Sequence, residues 1–371
     1  MLNTLFVFGT RPEAIKLSPV IRYMQSRREQ FSVRVAVTAQ HREMLDQALL
    51  AFGITPDYDL NTMAAGQSLA ASASRILAGL EPVYAEARPD IVFVQGDTTT
   101  TLYATLAAFY ARIPVGHIEA GLRTGDLAQP FPEEMNRVLT GRLASIHFAS
   151  TVSAQRNLLA EGIAADRIHV TGNSGIDAVL TIAGQLESGQ LPSRDWNFLD
   201  PAKRLILVTA HRRESFGDGF ESICRAIRTI ASRPDVVIVY PVHPNPNVKD
   251  AVHQQLAGLP NIYLIEPLDY VPFVDLMRHA TILLTDSGGI QEEGPSLGKP
   301  VVVMREKTER PEAVEAGTVR LAGTDERRIV QEITSLLDDG KLREAMSRIH
   351  NPYGDGHASE RIAEATLAYF R

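Results

Sequence analysis

The chain has 371 residues, of which 44% are hydrophobic and 22% are charged, so it is long enough for two α/β domains of ordinary globular composition. A net charge of −7, with no dense Lys/Arg run, argues against nucleic-acid or anionic-membrane binding. The single cysteine, Cys224, excludes an intramolecular disulfide, and its apolar setting predicts a helix core. The chain opens on a short strand, and no run of transmembrane length follows, so we expect a cytoplasmic protein.

Short apolar runs alternate with segments of helical periodicity along the whole chain. The first six predicted strands are 5–8, 33–37, 91–94, 115–118, 146–148 and 168–170. The second six are 205–208, 236–240, 262–265, 282–284, 301–304 and 319–321. This alternation predicts an α/β fold of two Rossmann-like, doubly wound domains with parallel sheets covered by helices.

A polar segment rich in turn formers, residues 186–195, separates the two sets of strands. We expect a first domain over residues 1–175 and a second over 176–355. Near the end, residues 351–356 must break any helix, and helical spacing then resumes. The terminal helix, within 356–371, is expected to pack back on the first domain.

Ligands of doubly wound sheets are bound by the loops at the carboxyl ends of the strands. The loop after the first strand contains Thr10 and Glu13 at the spacing of a capping box. Arg11 and Lys16 place two positive charges beside the same helix N-terminus, where they oppose the helix dipole. An anion bound at this loop explains both cations better than structure alone does.

Three carboxylates, Asp97, Glu119 and Glu133, lie at or near other strand ends of the first domain. Each has a structural alternative: Asp97 caps the following helix, Glu119 pairs with Arg123, and Glu133 satisfies a helix dipole. Taken together, the three acids are typical of an acid/base set in an interdomain cleft.

In the second domain, residues 281–297 predict a strand end, a glycine turn and a helix start in succession. Ser287 is a suitable N-cap, and Gly288 and Gly289 leave the first-turn N–H groups accessible to a diphosphate. Glu293 lies one turn further, where it can accept hydrogen bonds from ribose hydroxyls. The alternative is an ordinary tight turn.

Two histidines, His211 and His243, follow the first two strands of the second domain, and Arg212 is adjacent to the first. Their placement favours diphosphate binding or proton transfer. Neither has partners at metal-ligand spacing, and no Gly-x-Gly-x-x-Gly follows a strand. We therefore expect no cofactor: no essential metal and no nicotinamide dinucleotide.

These motifs, in this order, resemble the non-hydrolysing UDP-N-acetylglucosamine 2-epimerases of bacteria. The resemblance covers the full length and includes further stretches at residues 40–45, 96–100, 211–215 and 351–356. It implies the glycosyltransferase-B arrangement of the two domains, interconversion of UDP-GlcNAc and UDP-ManNAc as a supply of polysaccharide precursors, and a homodimer.

The resemblance also implies the chemistry, in which UDP is eliminated across C1–C2 and then added back to 2-acetamidoglucal. The catalytic residues implied are Asp97, Glu119, Glu133 and His211. The further substrate-binding residues are Arg11, Lys16, Phe273, Ser287, Gly288, Gly289, Glu293 and Arg310. A regulatory site for a second substrate molecule is expected at Gln40, His41, Gln67, Arg212 and His243, although solvated loop residues have the same pattern.

Three other functions fit the same sequence pattern. A retaining glycosyltransferase would bind a UDP-sugar in this way, but it has less use for three carboxylates in the first domain. A hydrolysing epimerase would release ManNAc and free UDP. A UDP-sugar sensor without enzymatic activity is the third alternative.

Overall fold

A computed structural model describes residues 1–38, 42–62, 66–212 and 217–371 of the chain. The chain divides into two compact units, one of Met1–Ala178 with Tyr353–Arg371 and one of Val179–Pro352. The sequence predicts divisions after residues 175 and 355. Among the described helices, none combines the length and the apolar character needed to cross a bilayer.

One parallel sheet forms the centre of the first unit. Its strands are β1 (Leu2–Phe8), β2 (Phe31–Val37), β3 (Tyr58–Asp59), β4 (Ile91–Gln95), β5 (Val115–Ala120), β6 (Ile146–Ala149) and β7 (Ile168–Val170). Its helices are α1 (Arg11–Ser26), α2 (Arg42–Ala51), α3 (Leu69–Ala87), α4 (Thr99–Tyr110), α5 (Glu133–Leu143), α6 (Val152–Ala160) and the start of α7 (Ser174–Glu187). The strand order is β3-β2-β1-β4-β5-β6-β7, so the direction of winding reverses between β1 and β4.

The second unit repeats this plan with a six-stranded parallel sheet. Its strands are β8 (Arg204–Thr209), β9 (Val236–Pro241), β10 (Ile262–Ile265), β11 (Ile282–Thr285), β12 (Val301–Val303) and β13 (Val319–Leu321). Its helices are α8 (Asp218–Ala231), α9 (Pro246–Leu256), α10 (Tyr270–His279), α11 (Gly288–Ser296), α12 (Pro311–Ala316), α13 (Glu326–Asp338) and α14 (Gly340–Ser347). The order β10-β9-β8-β11-β12-β13 reverses between β8 and β11.

The last helix, α15 (Ala358–Tyr369), belongs to the first unit. Its first turn is capped from a distance, because the carboxylate of Asp177 accepts the N–H groups of Ala358 (3.2 Å) and Ser359 (2.8 Å). Tyr23 of α1 donates a hydrogen bond to Glu360 at 3.2 Å. These contacts join α15 to the helices α1 and α7.

All twelve predicted strands are present, and the predicted pair of Rossmann-like sheets is confirmed. The strands are continuous apolar runs because helices cover both faces of a parallel sheet. In β4, for example, Phe93 is fully buried and stacks on Phe6 with ring centroids 4.8 Å apart. The thirteenth strand, β3, is two residues long and too short to produce an apolar pattern.

Cys224 lies on the buried face of α8, as its setting in the sequence predicts. Phe220, Ile223 and Ile227 are buried on the same face at helical spacing. Burial raises the pKa of the Cys224 thiol to about 12. The thiol is therefore a core group, and at neutral pH it is not a nucleophile.

We predict that Gly294→Ala destabilises the protein by about 1–3 kcal/mol, because the added carbon must displace core atoms. A Cβ at this position would lie 2.6 Å from Leu283 Cδ1 and 2.9 Å from Val301 Cγ2. Gly184→Ala, in the exposed part of α7 with no atom within 4 Å of the added carbon, is the matched control and should be neutral or slightly stabilising. Denaturant unfolding midpoints of both variants test this, and equal midpoints would contradict it.

Candidate active site

A buried carboxylate, that of Glu13, joins the two central loops of the first sheet. The side chain of Glu13 accepts the N–H groups of Gly9 (3.1 Å) and Thr10 (2.8 Å), which completes the predicted capping box of α1. It also accepts the hydroxyl groups of Thr98 (2.8 Å) and Thr101 (3.3 Å), beyond β4. The loops after β1 and β4 are thereby fixed to each other at the reversal point. Burial raises the pKa of Glu13, and the hydrogen bonds that it accepts lower it.

Asp97 directly follows β4 at this edge, and its side chain is 30% exposed. Its Oδ2 lies 3.0 Å from Nη2 of Arg137, on α5. Burial raises the pKa of Asp97, Arg137 lowers it, and Glu119 and Glu133 raise it, so that the pKa is about 6. The carboxylate is thus able to gain and lose a proton near neutral pH.

Glu119 occupies a strained position near the end of β5. Its φ of +62° is in the left-handed region, and the pairing of β5 with β6 shifts register between Ile118 and Ala120. Such a conformation costs about 1–3 kcal/mol in a residue other than glycine. Lys16 Nζ, at 2.8 Å and 2.6 Å from the two carboxylate oxygens, and Gln95, which donates to Oε2, hold it in place.

Arg11 and Lys16, the two cations at the start of α1, have different surroundings. The anion that compensates Lys16 is Glu119, within the same unit. Arg11 is half-buried as the first residue of α1. A role for either residue in substrate binding stays a prediction.

The adjacent acids Glu133 and Glu134 both lie in the first turn of α5, as one alternative expects. Only the second is buried, with 1% of its surface exposed, and its Oε1 accepts the N–H groups of Thr124 (2.9 Å) and Gly125 (3.0 Å). Glu134 therefore fixes the loop before α5, whereas Glu133 is half-buried at the helix start.

Two of the structural alternatives are wrong. Glu119 pairs with Lys16, and Arg123 instead forms a two-pronged ion pair with Glu161 at 2.6 Å and 3.0 Å. The cap of α4 is Thr98, whose hydroxyl accepts the N–H of Thr101 at 3.1 Å, so capping does not explain Asp97.

In the second unit, Asp286 joins the two central loops, as Glu13 does in the first unit. It is fully buried after β11, and its Oδ2 accepts the N–H groups of His211 (2.6 Å) and Arg212 (2.7 Å) from the loop after β8. Its Oδ1 lies 3.3 Å from Nδ1 of His211. The ring of His243 stacks on that of His211 with centroids 5.3 Å apart, and burial, together with His211, lowers the pKa of His243.

The glycine turn lies at the same edge, at the start of α11. Ser287 is the N-cap residue, as predicted, but its hydroxyl makes no capping hydrogen bond within the described chain. A Cβ built at Gly288 would lie 4.0 Å from Arg310 Nη2, and one at Gly289 would lie 3.9 Å from Ser287 Oγ. Packing therefore does not demand glycine at these positions, in contrast to Gly294.

Arg310 lies beside this turn and is fixed by buried neighbours. Its Nε donates to the carboxylate of Glu292, and its main-chain N–H donates to Thr308 Oγ1 at 3.0 Å. Thr308 in turn donates to Gln291 Oε1 at 2.6 Å. Glu293 is half-buried on the same helix, and Phe273 is half-buried on α10.

The five residues of the predicted regulatory site are only partly described. Gln40 and His41 lie outside the described residues. Gln67 accepts a hydrogen bond from Arg75 at 2.6 Å in the first unit. Arg212 and His243 lie beside His211 in the second unit.

Several residues that position the site were missed at the sequence level: Glu13 as a link between loops, Gln95, Arg137, Asp286 and Glu292. Asp286 carried a signal, because it directly follows a predicted strand at the ligand edge. Arg137 also carried such a signal, because it lies one turn beyond the acidic pair at 133–134.

As for metals, the side chains within the described ranges include no group of three or more His, Cys, Asp or Glu suited to hold an ion.

The fold has a known counterpart among solved structures of low sequence identity. A solved structure of the glycotransferase of kitacinnamycin matches with a TM-score of 0.66 over 98% of each chain, and its 16% identity supports a likeness of fold alone. The chain thus has a glycosyltransferase-B-like fold, with polar groups at the reversal point of each sheet.

The family is shown by closer relatives. A family model described as UDP-N-acetylglucosamine 2-epimerase matches residues 24–367. The chain is 59% identical over 369 residues to the UDP-N-acetylglucosamine 2-epimerase of Escherichia coli K12, with 98% of each chain covered. It also resembles the crystal structure of UDP-GlcNAc 2-epimerase from Neisseria meningitidis bound to UDP-GlcNAc, with a TM-score of 0.90, 49% identity, and 98% of this chain and 99% of that chain covered. The chain belongs to the UDP-N-acetylglucosamine 2-epimerase family.

We predict that Glu134→Ala lowers the free energy of unfolding by about 1–3 kcal/mol, because two main-chain N–H groups lose a buried acceptor. Glu133→Ala, one residue earlier, is the matched control and should cost less than about 1 kcal/mol, since it removes only a favourable interaction with the helix dipole. Chemical denaturation of both variants measures the difference. The assignment of Glu134 to structure fails if the two variants are equally stable.

Proposed function

We propose that this protein interconverts UDP-GlcNAc and UDP-ManNAc without net hydrolysis. The observation that carries the proposal is the pair of carboxylates at the reversal point of the first sheet. Asp97 ionises near neutral pH, and Glu119 is held in a strained conformation by Lys16 and Gln95. Membership of the epimerase family supplies the substrate class.

The chemistry must proceed through C1 as well as C2. C2 of the sugar bears an acetamido group and has no adjacent carbonyl, so removal of its proton alone leaves no stabilised carbanion. If the C1–O bond breaks as the C2 proton leaves, the products are 2-acetamidoglucal and UDP. Re-addition of UDP to C1, with a proton delivered to the other face of C2, gives the epimer.

The first unit would supply the proton-transfer groups. Asp97, which is ionised above a pH of about 6, is suited to accept the C2 proton. Glu119 and Glu133 are assigned to proton return and to binding of the sugar hydroxyls. Lys16 keeps Glu119 in position, since it lies 2.6 Å from one carboxylate oxygen.

The second unit would bind the UDP leaving group. The first turn of α11 presents the main-chain N–H groups of Gly288 and Gly289 and the hydroxyl of Ser287, whose own N–H donates to Thr285 Oγ1 at 2.9 Å. Arg310 lies beside this turn. Such donors stabilise the negative charge that develops on the diphosphate as C1–O breaks. Further contacts are assigned to Arg11 for phosphate, Glu293 for ribose, Phe273 for uracil and His211 for the leaving oxygen.

The regulatory site and the homodimer also remain parts of this proposal. Arg212 and His243 support the former only by their position beside His211, where the guanidinium of Arg212 would offer positive charge to a second anionic ligand. The assembly is proposed from the resemblance to the family.

In D2O, we expect UDP-ManNAc formed from UDP-GlcNAc to carry deuterium at C2, because the C2 proton leaves and a solvent-derived proton returns. Proton NMR of the product measures the incorporation. Incubation without enzyme is the control. Product without C2 deuterium contradicts the elimination route, and accumulation of free ManNAc in place of UDP-ManNAc identifies a hydrolysing enzyme instead.

Conversion of Asp97, Glu119 or Glu133 to the amide should lower kcat by ~10²-fold or more, while each variant keeps the wild-type fold. For the wild type, kcat should rise with pH through about 6, since deprotonated Asp97 is the accepting form. Steady-state rates between pH 5 and 8 test both points. Three amide variants with near wild-type rates would remove the acid/base assignment.

A further inference from the structure

The Asp97 carboxylate is in ion-pair contact with one side chain among the described residues. We infer that Arg137 is a positioning residue. It holds the carboxylate of Asp97 in one orientation toward the substrate and keeps that carboxylate ionised. The inference rests on the proposed function, because it assumes that Asp97 exchanges a proton with the sugar. The contact itself is direct, with Nη2 of Arg137 3.0 Å from Oδ2 of Asp97.

Arg137 is itself fixed on its other side. Its side chain is 10% exposed, and its Nε lies 3.3 Å from Oε2 of Glu134 in a charge contact that lacks hydrogen-bond alignment. Glu134 is in turn fixed by the N–H groups of Thr124 and Gly125. The guanidinium therefore bridges a structural carboxylate and a carboxylate at the ligand edge, and its planar shape suits it to two contacts at once.

The main chain at Asp97 is fixed independently of Arg137. Asn136 Nδ2 donates to the carbonyl oxygen of Asp97 at 2.9 Å. The carbonyl of Gly96, whose φ is +70°, lies 2.7 Å from Nε2 of His117. Burial lowers the pKa of His117 to about 3, so its ring is neutral and donates through Nε2. Because the backbone is fixed in this way, the contact with Arg137 acts on the orientation of the carboxylate itself.

The charges that face Asp97 come from three elements. Glu133 on α5 and Glu119 on β5 disfavour ionisation of Asp97, as burial does, whereas Arg137 on α5 and Lys16 on α1 favour it. Lys16 lies within 2.6 Å of Glu119 and so is largely engaged by that carboxylate. Arg137 is the cation in ion-pair contact with Asp97 among the described residues, and its removal should raise the pKa of Asp97.

The test uses three variants of the full-length protein. Arg137→Gln removes the charge, Arg137→Lys keeps the charge but offers a single ammonium in place of the fork, and Arg142→Gln is the matched control on the same helix. Arg142 donates to the carbonyl of Glu161 at 2.6 Å and is exposed. Titration of the Asp97 carboxyl is followed by carbon NMR on aspartate-labelled protein, with Asp97→Asn for assignment. Values of kcat and KM are measured from pH 5 to 8.

In Arg137→Gln we expect the Asp97 titration to move up by roughly one to two pH units, because an opposing charge is lost. In Arg137→Lys it should stay near the wild-type value, while kcat falls by ~10-fold or more with KM changed only slightly, because a single ammonium cannot contact Asp97 and Glu134 at once. In Arg142→Gln both quantities should match the wild type.

An Asp97 titration that is unchanged in Arg137→Gln overturns the inference. If Arg137→Gln does not fold, the test rests on Arg137→Lys alone. A wild-type kcat in Arg137→Lys then overturns the inference. A wild-type protein without epimerase activity would overturn the proposed function, and the NMR titration, which needs no turnover, would still decide whether Arg137 controls the ionisation of Asp97.

Discussion

A buried carboxylate that bridges two loops is the interaction on which each ligand edge depends. Where the winding of a parallel sheet reverses, the loops after the two central strands turn away from each other, and their main-chain N–H groups lose the sheet ladder as a source of partners. Glu13 accepts two such groups in the first unit, and Asp286 accepts two in the second. Burying a charged group is costly unless hydrogen bonds compensate it, and bonds from N–H to a carboxylate are among the stronger ones. The residues that touch substrate in our proposal are thereby mounted on fixed loops.

The same logic explains why Glu119 tolerates a strained backbone. A left-handed φ in a residue other than glycine persists only where the surroundings determine it strongly. Lys16 holds both carboxylate oxygens of Glu119, and Gln95 holds one of them. Asp97, in contrast, keeps part of its surface exposed and makes its ion pair from one oxygen. One carboxylate is thus firmly bound within the protein and the other is open to a ligand, and such a difference in environment is how enzymes give two acids different tasks.

The sequence predicted what depends on local pattern. Strands, helix starts and the capping box at Thr10 follow from periodicity and caps within a few residues, and the loops that carry the site follow from the rule for parallel sheets. Pairing of side chains does not follow from such patterns. Lys16 and Glu119 are 103 residues apart, and the two meet only because a single strand, β4, separates β1 from β5 in the sheet. The predicted alternative, Glu119 with Arg123, relied on closeness in sequence and was wrong, since Arg123 reaches Glu161 instead.

The glycines of α11 are of two kinds: core packing requires one of them and does not require the other two. At Gly294 a side chain would enter the core against Leu283 and Val301, so packing alone requires glycine there. At Gly288 and Gly289 a side chain would meet atoms only at ordinary contact distances of 4.0 Å and 3.9 Å, so packing does not account for them. Glycine in the interior of a helix is destabilising by about 0.5–1 kcal/mol relative to alanine, and near its start it leaves the N–H groups uncovered. Ser287 does not cap those groups from within the described chain. In our proposal, both glycines serve the close approach of the diphosphate leaving group to these N–H groups.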